Sequence, residues 1–294
     1  YDKVLYIDSD TIVQGDISRL YDIEIGDNLV GAAVEQVMAQ TEVYGTYCEK
    51  VCGIDRTRFF NAGILVINSS KMREEHLLDR FKELLYTYRF IVTQDEDYLN
   101  VLCKDRVHYL PGEWNVAIYG EIPYKTDEIC IFHYVMVSKP WHYPDCRFGE
   151  VFWSYAKQTN LYDELQASLA AYTDEDRARD AEGVKNLEQM AYDEIMREDN
   201  YYNLVRGTNG KEIGRIIVLN KIAHYEKEGR FDEDVEEDPP TRELMPDEID
   251  YMRKKVSSKI KSRFAYSIAR RFMNGLIDDK KMIIKEIRGL EHYK

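Results

Sequence analysis

The chain has 294 residues, enough for one or two domains with a sizeable buried core, which excludes a disulfide-stapled mini-protein. Hydrophobic residues make up 44% and charged residues 32%, a globular balance, and no apolar run approaches the ~18 residues of a membrane span. Forty Lys and Arg against 54 Asp and Glu leave a net charge of −14, so a general polyanion binder is disfavoured and nucleic acid is not an expected partner.

Along the first 150 residues, short β-branched or aromatic runs alternate with helical patterns. Val4 to Ile7, Leu29 to Val34, Ala62 to Ile67 and Val107 to Leu110 read as strands bounded by Asp, Gly, Asn or Pro. Lys71 to Tyr88 places Leu77, Leu78, Phe81, Leu84 and Leu85 at helical spacing, and Asp95 to Cys103 repeats the pattern more briefly. This alternation predicts an α/β fold with a mixed, mostly parallel sheet flanked by helices. The chain opens on Tyr rather than Met, directly on a hydrophobic strand, and shows no signal peptide; an N-terminally truncated chain is the expectation. The five cysteines lack zinc-ribbon spacing and read as free thiols, which places the protein in the cytoplasm.

From about Asn160 the pattern turns to charged helical segments, Leu161 to Ala171 and Ala178 to Glu198, and a strand-like Ile213 to Leu219 interrupts the helical character. Residues 231–240 combine acids with Pro239 and Pro240 and read as a solvated linker. Beyond it the charge inverts. Tyr251 to Lys294 holds thirteen Lys or Arg against four Asp or Glu, +9, while the preceding 250 residues carry −23. Ile260, Phe264, Ile268 and Phe272 lie among those bases, a basic amphipathic pattern suited either to an anionic membrane surface on the cytoplasmic side or to packing on the protein's own acidic body. The expected organisation is a catalytic region over 1–157, a mainly helical extension over 158–230, a linker over 231–240 and a basic helical tail over 241–294.

The strongest local signal is Asp8-Ser9-Asp10 at the end of the Val4 to Ile7 strand. Acids at the carboxyl end of a strand in an open α/β sheet face the ligand crevice, and hard oxygen ligands suit Mn²⁺ or Mg²⁺ carried with a diphosphate. By itself the pattern equally fits a turn with solvated acids. It also fits a haloacid-dehalogenase-like phosphatase, although Thr11 stands one residue too early for that motif.

Downstream partners follow in order: Phe59-Phe60-Asn61-Ala62-Gly63, then Gln94-Asp95-Glu96-Asp97 with Asn100, then Leu110-Pro111-Gly112-Glu113-Trp114-Asn115, then Phe132-His133-Tyr134, then Lys139-Pro140-Trp141. With Asp8-Ser9-Asp10, this series resembles glycosyltransferase family 8, the retaining enzymes that include lipopolysaccharide galactosyl- and glucosyltransferases and glycogenin. The resemblance implies a GT-A-like fold, a UDP-sugar donor, and a glycan or lipid-linked acceptor. It implies that Asp8, Asp10 and His133 are metal ligands and that Lys139 neutralises the diphosphate. Asn61, Asp95 and Glu96 would act at the transferred sugar, with Ser9, Ala62 and Gly63 close to the donor. Two positions depart from the family pattern: Glu96 where Gln is usual, and Met136 where Gly is usual. The family's preceding nucleotide-binding half also has no counterpart ahead of Asp8. Alternatives are a scaffold with a degenerate site, the phosphatase, and, with 23 tyrosines, a glycogenin-like self-modifying protein.

Overall fold

The structure, a computed structural model, describes residues 1–207; the strand-like 213–219, the linker 231–240 and the basic tail from 251 lie outside the described residues. In chain order the elements are β1 (Lys3–Ile7), β2 (Thr11–Val13), α1 (Ile17–Tyr21), β3 (Val30–Val34), α2 (Gln36–Gln40), α3 (Glu42–Tyr47), β4 (Phe60–Asn68), α4 (Ser69–Glu74), α5 (Leu77–Thr87), α6 (Asp95–Leu102), β5 (Val107–Tyr109), β6 (Val116–Ala117), β7 (Ile131–His133), α7 (Gly149–Ala156), α8 (Tyr162–Ala171), α9 (Asp174–Met196) and α10 (Tyr201–Gly207). Among the described residues, one compact unit takes Tyr1–Leu77 and Phe90–Asn203 and holds every strand; the other takes Leu78–Arg89, most of α5, and Leu204–Gly207.

The first unit carries two sheets, ordered β1-β4-β3-β5 and β2-β7-β6. The nine residues of β4 form a nearly continuous apolar run, as expected of a central strand buried on both faces, and its first seven positions are buried. Ile64 and Val66 from β4 join Leu20, Trp114 and Ile131 in one core cluster, while Phe132 and Tyr134 anchor a second beneath α7. The second cluster includes Val151 and Phe152 of α7 among its partly buried members. Helices flank the sheets, and the part after residue 158 is helical as far as it is described.

The mixed sheet is observed, but its parallel majority is not. β4 runs antiparallel to both β1 and β3, and β2 antiparallel to β7; among the described residues only β3–β5 and β6–β7 are parallel. Alternation of strand and helix reports element type, whereas direction depends on the end of the sheet from which each connection returns. The helix expected over 71–88 is likewise two helices. Asn68 caps α4 by accepting from the Lys71 N–H at 3.0 Å, and the chain then turns at His76, φ +51°, before α5 begins. α9 starts earlier than expected, because Thr173 and Asp176 form a reciprocal capping box.

Candidate active site

The Asp8-Ser9-Asp10 turn carries the chain from the first sheet into the second. The Asp8 N–H donates to the Gly63 carbonyl at 2.7 Å, and the Thr11 hydroxyl donates to the Asp8 carbonyl at 2.8 Å. On the far side of the turn, Thr11 pairs in register with His133, and the Tyr134 N–H donates to the Asp10 carbonyl at 2.9 Å. Backbone bonds therefore join three segments distant in sequence. They place His133 Nε2 at 3.2 Å from Asp10 Oδ1 and 3.6 Å from Asp8 Oδ2. All three ligand atoms lie within 4.8 Å of one another. Neighbouring ligands of an octahedral divalent ion stand about 3 Å apart, so Asp8, Asp10 and His133 could hold a metal.

The hydrogen bonds behind His133 determine which nitrogen faces that position. The Gly63 N–H can only donate, and it donates to Asn61 Oδ1 at 2.9 Å, which orients the Asn61 amide. Asn115 Nδ2 donates to the same oxygen at 2.7 Å, and Asn61 Nδ2 donates to Glu35 Oε2. Asn115 therefore presents its own oxygen to His133 Nδ1, 2.9 Å away, and the ring donates through Nδ1. Nε2 is left to face the two carboxylates, the arrangement metal-binding imidazoles use. Every polar member of this relay is buried: Glu35 5%, Asn61 9%, Asn115 2% and His133 3% exposed.

Lys139 donates to Asp10 Oδ2 and to the Tyr134 carbonyl. Burial pushes the Asp10 carboxyl up, but the hydrogen bond and charge of Lys139, joined by those of His133 when its ring is doubly protonated, outweigh it and hold Asp10 well below the usual carboxylate range. Asp8 accepts from the Tyr6 hydroxyl at 2.7 Å, and that bond with the Asp8 charge raises the Tyr6 pKa. The loop bearing Lys139 is braced by α9. The His142 and Tyr172 rings stack at 3.9 Å, and the Tyr143 and Tyr172 hydroxyls both donate to Asp180 Oδ2.

The other wall of the site is α6. Glu96 and Asn100, one turn apart on one face, meet the start of β4: Glu96 Oε2 accepts from the Ala62 N–H at 2.9 Å, and the Asn100 side chain accepts from the Phe60 N–H and donates to its carbonyl, both at 2.8 Å. Asp97 points the other way, into a buried cluster with the Tyr47 hydroxyl, and is structural. The preceding Gln94 sits at φ +51°, a strained conformation for a residue with a Cβ, and Asp95 and Glu96 follow it into the cleft.

Burial, then the nearby Glu35 charge, raises the Glu96 carboxyl well above its ordinary range; Glu35 is raised by burial too, but retains acceptor bonds from Asn61 and Val37 that favour its ionised form. Glu96 is thus the carboxyl more readily kept neutral, which makes it resemble the amide usual at this position. A folded-state pKa raised above the unfolded value, about 4.3, means that the neutral carboxyl's contribution to stability is intact below that value and is lost as pH rises through the folded-state pKa. Glu96→Gln cannot ionise. Its melting temperature should therefore exceed the parent's increasingly toward pH 9, and parallel curves from pH 5 to 9 would count against a neutral Glu96.

A cleft of about 250 Å³ gathers Asp8, Asp10, Asn61, Ala62, Gly63, Asp95, Glu96 and His133. Ser9 is exposed and does not line it, and Lys139 reaches it only through Asp10. Several further lining or supporting residues were not singled out from sequence. Glu35, directly after β3, carried a legible signal as an acid at a strand end; Asn115, Tyr44 and Leu187 carried none as individual residues. Met136 also lines the cleft, at φ +58°. The position demands the left-handed backbone that glycine adopts freely, and methionine holds it at a cost of about 1 kcal/mol or more.

Comparison with known proteins agrees with this geometry. Residues 1–145 match Glycosyl transferase family 8. That region belongs to glycosyl transferase family 8. Glycosyltransferase GlyE of Streptococcus pneumoniae is 32% identical over 169 residues, covering 53% of this chain and 37% of the relative. Lipopolysaccharide 1,2-glucosyltransferase of Escherichia coli K12 is 27% identical over 171 residues, covering 51% and 48%. The chain thus spans less than half the length of these two relatives. Among solved structures, the bifunctional glycosyltransferase WbbM aligns at 26% identity with a TM-score of 0.51, covering 58% of this chain and 35% of that one. Family membership sets aside the phosphatase alternative. Among the described residues no helix is long and apolar enough to cross a membrane.

Proposed function

We propose that the protein takes part in transferring a hexose, glucose or galactose, from a UDP-sugar to a glycan or lipid-linked acceptor, with retention of configuration and dependence on Mn²⁺ or Mg²⁺. The observation that carries this reading is the juxtaposition of Asp8, Asp10 and His133 Nε2 on a cleft that Asn61 and Glu96 also line. A divalent ion held there would stabilise the charge that develops on a departing diphosphate. Lys139, already paired with Asp10, would add positive charge to the same oxygens. Asn61, Ala62 and Gly63 bring backbone and a small amide surface close to the sugar, and a neutral Glu96 can donate a hydrogen bond to it. The names of the lipopolysaccharide relatives support the acceptor class.

The test is a calorimetric titration of UDP with and without Mn²⁺, followed by a hydrolysis screen of UDP-glucose and UDP-galactose, all with the 294-residue chain. Synergy between UDP and Mn²⁺ is expected; UDP binding indifferent to the ion overturns the reading.

The relay behind His133 makes a separate prediction. Asn115→Asp keeps the acceptor for His133 but loses the donor to Asn61, and Asn115→Ala loses both. Mn²⁺ affinity should fall by about 10- to 100-fold, the range for removing the outer partner of a metal-binding imidazole, with Ala the weaker binder. Unchanged affinity in a folded Asn115→Ala protein would show that the amide does not set the ring.

A further inference from the structure

Residues 134–148, between β7 and α7, contain no helix or strand, and Lys139 stands among them. Its carbonyl accepts from the His142 and Tyr143 N–H groups at 2.9 and 2.8 Å, so the lysine opens a tight turn. The later side chains of that turn are gripped from two sides. Trp141 packs on Phe152 of α7, ring centres 5.1 Å apart. His142 and Tyr143 meet the junction of α8 and α9 instead: the His142 ring lies flat on Tyr172 at 3.9 Å and 7°, and the Tyr143 and Tyr172 hydroxyls converge on Asp180 Oδ2 at 2.8 and 2.6 Å. Arg177, three residues before Asp180 and so on the same helix face, lies 5.8 Å from the centres of both tyrosine rings and donates to the His142 carbonyl at 3.4 Å. Residues 172–180 lie beyond the 1–145 family region.

We propose that Tyr172, Arg177 and Asp180 form a clamp that positions Lys139, and through it sets the affinity of the site for a diphosphate. The inference rests on the proposed glycosyl transfer and assigns part of its donor binding to residues outside the family region. A lysine side chain has many rotamers, and on a loop without regular structure its ammonium would lose further backbone freedom on meeting a ligand. The clamp fixes that backbone in advance, which leaves more of the ion pairing available to binding. Lys139 Nζ already contacts Asp10 and the Tyr134 carbonyl, beside the candidate metal ligands. An ammonium there repels a divalent ion and attracts a diphosphate, so loosening the clamp moves the two affinities in opposite directions.

The experiment compares Asp180→Ala, Asp180→Asn, Lys139→Ala and the Asp180→Ala/Lys139→Ala double variant with the parent 294-residue chain. Calorimetry measures Mn²⁺ alone, then UDP in saturating Mn²⁺. Asp180→Ala should weaken UDP about 10-fold, the scale of one hydrogen bond to a charged group, while Mn²⁺ alone binds as tightly as to the parent or more tightly. Asp180→Asn keeps an acceptor oxygen for both tyrosines and should stay within about 3-fold of the parent. In the Lys139→Ala background Asp180→Ala should change UDP affinity no further, because the two act through one ammonium. If Asp180→Ala does not fold, Tyr172→Phe carries the same comparisons: it keeps the ring on His142, loses one bond to Asp180, and should weaken UDP about 3-fold. Unchanged UDP affinity overturns the inference, and so does an Asp180→Ala effect of full size without Lys139. Joint loss of Mn²⁺ and UDP binding with a lower melting temperature makes the clamp structural and overturns it too. In each of these cases a parent that binds UDP with Mn²⁺ leaves the proposed function standing; a parent that binds no UDP defeats that function and this inference with it.

Discussion

Gly63→Ala should abolish Mn²⁺-dependent UDP binding while leaving a folded protein. A Cβ at this position would lie 2.3 Å from His133 Cε1, 2.6 Å from Asp8 Oδ2 and 3.0 Å from Asn61 Oδ1. Contacts this short cannot persist. None of the three neighbours is a free side-chain end: His133 is held by Asn115, Asn61 by Glu35 and the Gly63 N–H, and Asp8 by Tyr6. The added methyl must therefore displace two of the three candidate metal-ligating side chains or shift β4, and β4 is an inner strand of its sheet. A ligand displaced by even about 1 Å loses its bond to a metal that requires distances near about 2.1 Å, so an affinity loss of at least about 100-fold is expected. Calorimetry with Mn²⁺ and UDP measures the loss, and circular dichroism establishes that the fold survives. An alanine variant that binds Mn²⁺ like the parent would mean that Asp8 and His133 are not co-ligands.

Asp10→Asn should lower metal-dependent donor hydrolysis by more than about 100-fold, the scale on which one electrostatic group at a developing charge contributes. Asp10 accepts from Lys139 and faces His133 Nε2, so it draws two cationic or ion-binding groups to one point. The amide preserves the side chain's shape and removes its charge. A divalent ion then loses one of its two carboxylates, and Lys139 loses the carboxylate that holds it at the site. Saturating Mn²⁺ should not restore the rate. Equal turnover in mutant and parent, with both folded, would remove the carboxylate pair from the proposed mechanism.

Much of this site was readable from residues next to one another in the chain. The Val4 to Ile7 run ending in two acids locates a strand and its ligand-facing end, and Ala62 to Ile67 reads as a strand because its apolar residues are continuous, the structure extending it to Phe60–Asn68. The spacing of Glu96 and Asn100 places both on one helix face. Such signals survive in one dimension because strand and helix periods are local properties. Direction is not local: that β4 runs against both β1 and β3 depends on how long connections return, and no run of side chains records it. The tertiary structure alone decided that residues 8, 61, 115 and 133 meet, through the pairing of Thr11 with His133 and the bond from Asp8 to Gly63. It alone turned Asn115 from a motif letter into the group that orients an imidazole, and gave Tyr44 and Leu187 a cleft to face. Motif chemistry names the side chains able to bind an ion; only packing, which brings together segments more than a hundred residues apart, determines which atoms of those side chains point at it.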